Sequence, residues 1–274
     1  MPHAKMADPQ YLAKQYQDAS NLDARIRLHQ RFSVNKQGWH PWVFDHFELP
    51  PRCRILELGC GPGYLWLDNL DRIPAGWEIT LSDFSAGMLD QTRQHLKGSS
   101  QFEYKVIDAQ SIPCEDEYFD AVIANHMLYH VPNRAQALAE IQRVLKPTGY
   151  FYASTVGDRH LIEIADLLVK FDARLAPWGR VTDSFTLENG ITQLTGWFTN
   201  IKLYRYEDAL EVTEAGPLVD YVLSGWAAHI LEEKRDQFRE FVAGEVATLG
   251  GVIHITKDSG LFVSAPKRRV KDEY

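Results

Sequence analysis

The chain is poor in cysteine, with Cys53, Cys60 and Cys114 its only three in 274 residues. They form neither an even disulfide set nor a close pair of metal ligands, so a reducing, cytoplasmic setting and no bound metal are expected. Cations are in deficit: 29 Lys and Arg stand against 37 Asp and Glu, a net charge of −8. Surfaces that grip phosphate backbones or anionic lipid need dense Lys and Arg, so neither nucleic acid nor membrane is expected as a partner. Long apolar runs are missing as well. None approaches the ~20 residues that cross a bilayer, and the start, from Met1 to Asp8, lacks the apolar stretch of a signal peptide. What is present, 45% hydrophobic and 24% charged residues, is the composition of a globular protein with ample core, at a length that suits one large domain or two small ones.

Residues 9–47 are rich in helix formers and aromatics, and Ser20-x-x-Asp23 marks a helix start ahead of Ile26, Leu28 and Phe32. Pro50-Pro51 ends that pattern. The short apolar run 53–58 then leads into a glycine cluster, as a buried parallel strand does. Strand-like runs at 78–82, 103–107, 120–125 and 150–155 alternate with helical patterns at 85–97 and 134–145. Such alternation predicts an α/β doubly wound sheet, its parallel strands joined by right-handed crossovers, with helices on both faces. Beyond Thr155 the pattern predicts a helix at 161–175, a strand at 201–206, helices near Leu218 and Phe238, and a last apolar run at 261–265 before a charged tail.

The segment Glu57-Leu58-Gly59-Cys60-Gly61-Pro62-Gly63 follows the first strand directly. Its glycines let the chain turn sharply and let a ligand approach the backbone. A dinucleotide fingerprint would space them as G-x-G-x-x-G, whereas here the third glycine comes one position early and Pro62 lacks an N–H for a pyrophosphate. A phosphate-free ligand fits better. Asp83, at the end of the second strand, offers two carboxylate oxygens to a ribose diol. Asp108 and Ala109, at the end of the third, can read an adenine edge. Each also has a local reading: Asp83 or Ser85 as a helix cap, Asp108 as a turn residue, and the glycines as a plain strand-to-helix turn.

In order along the chain stand Ile55-Leu-Glu-Leu-Gly-Cys-Gly-Pro-Gly63, Leu81-Ser-Asp-Phe-Ser-Ala-Gly-Met-Leu89, Phe119-Asp-Ala-Val-Ile-Ala-Asn-His-Met-Leu-Tyr-His-Val131 and Val144-Leu-Lys-Pro-Thr-Gly149. This series resembles the class I S-adenosylmethionine-dependent methyltransferases of the small-molecule type, over roughly 52–155. The resemblance implies a mostly parallel, seven-stranded Rossmann-like sheet with a helical cap, divided as an N-terminal helical segment (1–50), a cofactor-binding core (51–156), a cap insertion (157–200) and completing strands and helices (201–274). It implies S-adenosylmethionine as cofactor and S-adenosylhomocysteine as product. Gly59, Gly61 and Gly63 would shape the loop under the methionine moiety, with Glu57 at its ammonium. Asp83 would hold the ribose hydroxyls, Phe84 and Met88 would pack on the adenine or ribose, and Asp108 and Ala109 would read the adenine. Asn125 and His126 would meet the cofactor after the fourth strand, where His126 departs from the usual polar residue.

Methyl transfer from a sulfonium depends mainly on alignment, and a base is needed only where the acceptor must lose a proton. His126 is the first choice for that base, because imidazole ordinarily titrates near neutrality, and Tyr129 the second, as an orienting donor. His130 reads mainly as structural. Tyr16 and Trp39 are expected to close over the cofactor or acceptor, and the segment from His160 to Trp197 to cover the pocket; Trp39, Trp42, Trp178 and Trp197 also read as core or cap residues, some of them able to line an apolar acceptor pocket. A small metabolite is the expected acceptor, and oligomeric state is open. A nicotinamide-dependent oxidoreductase and a non-catalytic S-adenosylmethionine-binding protein are the alternatives.

Overall fold

A computed structural model describes residues 20–175, 184–225 and 227–267. Helices α1 (Ser20–Phe32) and α2 (Trp39–Phe44) precede strand β1 (Arg52–Leu58). There follow α3 (Tyr64–Leu67), β2 (Gly76–Asp83), α4 (Ala86–His95), β3 (Phe102–Val106), β4 (Phe119–Asn125), α5 (Arg134–Val144) and β5 (Leu145–Val156). The remainder comprises α6 (Ile162–Phe171), α7 (Gly190–Leu194), β6 (Phe198–Val212), α8 (Ala215–Leu223), α9 (Ala228–Leu231), α10 (Arg235–Thr248) and β7 (Ile253–Pro266). The seven strands form one sheet in the order β3-β2-β1-β4-β5-β7-β6. The first five run parallel, while β7 is antiparallel to both β5 and β6. The expected doubly wound, mostly parallel sheet is present, and the late strand expected at 201–206 is the middle of the much longer β6.

Both faces of the sheet are buried, which is why its central strands read as nearly continuous apolar runs. Leu56, Leu58, Val122, Ala124, Phe151 and Ala153 point to one side, against Ala137, Leu138 and Ile141 of α5. Cys53, Ile55, Ala121, Ile123 and Tyr152 alternate with them and point to the other, against Val43, Phe44, Leu65, Trp66 and Leu89. A further cluster lies off the sheet. Beyond Val156↔Ser259, where β5 stops, β6 and β7 continue paired to Val212↔Ile253. At about 3.4 Å per residue, this two-stranded overhang stands roughly 20 Å past the carboxyl edge of the parallel strands. Leu210, Val212, Ile253 and Ile255 on the overhang pack with Leu28, Phe32, Leu168, Leu218, Val222 and Phe238, joining α1, α6, α8 and α10 into a roof with its own core. The backbone bridge Ser33↔Leu210 ties α1 to the overhang. Thus the roof draws on 207–258 as well as on the segments expected to form a cap. No helix among the described residues is long and apolar enough to cross a membrane.

Candidate functional site

The sheet order reverses between β1 and β4, and the loops that leave their carboxyl ends diverge to open a crevice, the usual ligand position in such sheets. Roofed by the second core, the crevice becomes a cavity of about 1270 Å³. On the β1 side the glycine loop is held from below. Cys60 N–H donates to Ser82 O (2.8 Å) and Gly61 N–H to Asp83 Oδ2 (2.9 Å), and the Thr92 hydroxyl lies 2.5 Å from Gly61 O. Gly59 and Gly63 have φ of +68° and +79°, and a Cβ would stand 2.8 Å from Met127 Cβ at the first and 2.6 Å from Thr92 Cγ2 at the second. Only glycine meets both demands.

Glu57 is 1% exposed, and the Trp66 indole N–H donates to its Oε2 at 2.6 Å. Burial pushes its carboxyl up to about 8, against the partial relief of that hydrogen bond. Asp83 accepts Gly61 N–H on one oxygen and Ser85 N–H (2.8 Å) on the other, and burial raises its pKa while those N–H groups oppose the rise. The backbone N–H of Phe84 opposes that rise as well. Helix α4 is capped by Ser85, whose Oγ accepts Met88 N–H, so the capping role falls to Ser85. Phe84 is 64% exposed at the cavity wall, whereas Met88 is buried beneath it. Asp108 does serve its turn, accepting the backbone and side-chain N–H groups of Gln110, and both it and Ala109 line the cavity.

On the β4 side the chain turns sharply at His126, whose φ of +54° is left-handed. Its N–H donates to Ser154 Oγ, which in turn donates to Asn125 Oδ1 (2.6 Å). Trp39 Nε1 donates to that same oxygen at 3.2 Å, and its ring centre stands 4.8 Å from that of His126. Trp39 therefore sits over the end of β4. His126 lines the cavity, and burial drives its pKa down to about 3, helped by His160, His40, Lys257 and His130. The neutral titration expected of it from sequence gives way to an imidazole that stays unprotonated at physiological pH. Tyr129 and His130 line the same wall, their rings 4.5 Å apart. Tyr16 and Trp178 lie outside the described residues.

The roof contributes side chains that motif reading does not mark. His29 of α1 stacks at 6.4 Å on His160, with Tyr221 edge-on at 6.0 Å. Lys257 and Asp208, register partners on β7 and β6, form a buried ion pair that Ser33 joins. His29, Ser33, His160, Tyr221 and Lys257 all line the cavity. The segment from His160 onward does reach it, through His160, Ser184, Phe185 and Thr186.

Residues 56–153 match the family described as "Methyltransferase domain". The chain is 35% identical over 120 residues to the biotin biosynthesis bifunctional protein BioHC of Teredinibacter turnerae, covering 40% of this chain and 20% of that protein. It is 31% identical over 121 residues to the ubiquinone/menaquinone biosynthesis C-methyltransferase UbiE of Geotalea daltonii, covering 43% and 51%. The chain thus spans between a fifth and about half the length of these relatives. Among solved structures, the phosphoethanolamine N-methyltransferase 2 of Haemonchus contortus, in complex with phosphomonomethylethanolamine and S-adenosylhomocysteine, superposes with a TM-score of 0.57 at 17% identity, over 96% of this chain and 60% of that one. That likeness is one of fold.

Proposed function

We propose that this chain, which carries a class I S-adenosylmethionine-dependent methyltransferase domain over residues 56–153, transfers the methyl group of S-adenosylmethionine to a nucleophilic atom of a small-molecule acceptor. The observation that carries this reading is the cavity wall at the ends of β1 to β3. There Glu57, Asp83 and Asp108 stand beside an exposed Phe84 over a glycine loop that offers backbone at close range. Carboxylates suit a cationic amino acid and a ribose diol, and an exposed aromatic face suits a flat base, so the residues present fit a positively charged nucleoside.

When bound, the cofactor supplies a methyl group on a sulfonium whose departure needs no proton. The glycine loop would take the methionine moiety, with Glu57 at its ammonium. Asp83 would hold the ribose, and Phe84 and Met88 would pack on the ribose or adenine, whose edge Asp108 and Ala109 would read. Asn125 is fixed by Ser154 and Trp39 at the mouth of β4, where it orients rather than reacts. His126 would accept a proton where the acceptor must lose one, although burial disfavours its imidazolium and so makes it a weak base. Tyr129 would orient the acceptor from the same wall. The roof and Trp39 would cover the reacting groups, and alignment within the roofed cavity would supply most of the acceleration. A reducing cytoplasm suits the free thiols of Cys53, Cys60 and Cys114. Thermal unfolding with S-adenosylhomocysteine and with NADH tests the reading: the first is expected to raise the midpoint and the second to leave it unmoved. Stabilisation by NADH alone would overturn it.

A further inference from the structure

The charges lining the cavity are sorted into two ends. Its carboxylates, Glu57, Asp68, Asp83 and Asp108, all come from chain between β1 and the turn after β3. Its cations, Arg25, Lys36 and Lys257, come from α1, the turn beyond it and the overhang, with His29 and His160 beside them. Among the described residues, no carboxylate lines that second end.

The acid nearest to it, Asp208, is turned away and fully used. Its side chain is 0% exposed and accepts from Asn35 N–H, Ala209 N–H, the Ser33 hydroxyl and Lys257. Lys257 spends one N–H on Asp208 and a second on Ser33 Oγ, 3.2 Å away, with Nζ 5.4 Å from the Tyr206 ring centre. Its third N–H has no hydrogen-bond partner among the described residues. His160 Nδ1 accepts the Asp258 N–H at 3.1 Å. A neutral imidazole that accepts at Nδ1 must carry its proton on Nε2, so His160 presents a fixed donor. Beside it, His29 Nδ1 is buried with no partner among the described residues. The second end therefore combines spare donors, positive charge and aromatic walls.

We propose that this end of the cavity binds an oxyanion on an apolar small molecule, a carboxylate or the enolate or phenolate of the acceptor itself, with Lys257 Nζ and His160 Nε2 as its donors. The proposal rests on the methyltransferase reading for the identity of that molecule as the acceptor. A cationic cofactor at the acidic end and an anionic acceptor at the basic end would each be drawn to its own half.

The test titrates the protein, saturated with S-adenosylhomocysteine, with benzoate, 1-naphthoate and decanoate and with their primary amides, by calorimetry. At least one acid is expected to bind about tenfold more tightly than its amide, the worth of one charged hydrogen bond. That preference should fall to about twofold or less in His160→Phe, and in Lys257→Met combined with Asp208→Asn, which leaves no buried charge unpaired. The amides and S-adenosylhomocysteine should bind these variants as they bind the parent. Should the double variant lack a melting transition, His160→Phe decides alone. Equal binding of acids and amides, or a preference that survives in the folded variants, would overturn the proposal and leave Lys257 and Asp208 as a tie between strands. Were S-adenosylhomocysteine not to bind while the acid preference and its loss persisted, the oxyanion site would stand and the methyltransferase reading would fall.

Discussion

Glu57 is a buried carboxyl whose one side-chain partner is a neutral indole, and with a pKa near 8 it keeps its proton at neutral pH. A cation seated in the glycine loop would favour the carboxylate, so binding should expel that proton. Calorimetry of S-adenosylhomocysteine binding near neutral pH, in buffers of different ionisation enthalpy, is expected to show release of up to about one proton, absent in Glu57→Gln. Because the folded state holds this proton from pH 4.5 up to about 8 and the unfolded chain does not, the group makes stability fall as pH rises through that window. Glu57→Gln should flatten the fall. Asp83 differs, since the backbone N–H groups of Gly61, Ser85 and Phe84 already favour its ionised form. Asp83→Ala is expected to weaken S-adenosylhomocysteine binding by about 1–3 kcal/mol, and Asp83→Asn by less because one acceptor oxygen survives; unchanged affinity would remove Asp83 from the site.

At the scale of elements, the overhang of β6 and β7 does what the parallel sheet cannot. It lifts Asp208 and Lys257 above the carboxyl edge and gives α1, α6, α8 and α10 a surface to bury against. Leu28 is fully buried in that roof and away from the glycine loop, which packs on the sheet's own core. Leu28→Ala is expected to cost about 2–5 kcal/mol in denaturant unfolding, the range for a large core residue cut to alanine. Its affinity for S-adenosylhomocysteine should hold within about threefold, a change below 1 kcal/mol. A collapse of cofactor binding in this variant would show that roof and sheet do not bury their cores separately.

For the whole molecule, sequence and structure agree where chemistry is local. The runs at 53–58 and 120–125 are apolar because both faces of the sheet are covered, and the glycine spacing reflects a turn that admits no other residue at Gly59 or Gly63. Much of the basic end of the cavity was illegible for the complementary reason. Lys257 finds Asp208 across strands 49 positions apart, and His29 meets His160 only because α1 folds over the overhang. No spacing rule marks such pairs, and β6 shows no clean alternation because its two ends pack on different cores.

That same burial sets the acid limit of the fold. His29, His126 and His160 are each pushed from the ordinary 6.5 down to about 3. Between those values the unfolded chain binds protons that the folded one refuses, so stability rises with pH through the window and is lost on acidification. At up to about 1.4 kcal/mol per pH unit for each histidine, the three outweigh the opposing slopes of Glu57 and Asp83. Urea unfolding is expected to show stability dropping steeply from about pH 6.5 to pH 5, and the His29→Gln, His160→Gln variant should lose most of that slope.

The central claim is methyl transfer within the roofed cavity. Incubation with S-adenosylmethionine carrying a labelled methyl group and a metabolite extract, followed by mass analysis, tests it most directly. The expected result is a small molecule that gains one labelled methyl group as S-adenosylhomocysteine appears in equal amount; a protein that binds the cofactor yet passes its label to nothing in the extract would contradict it.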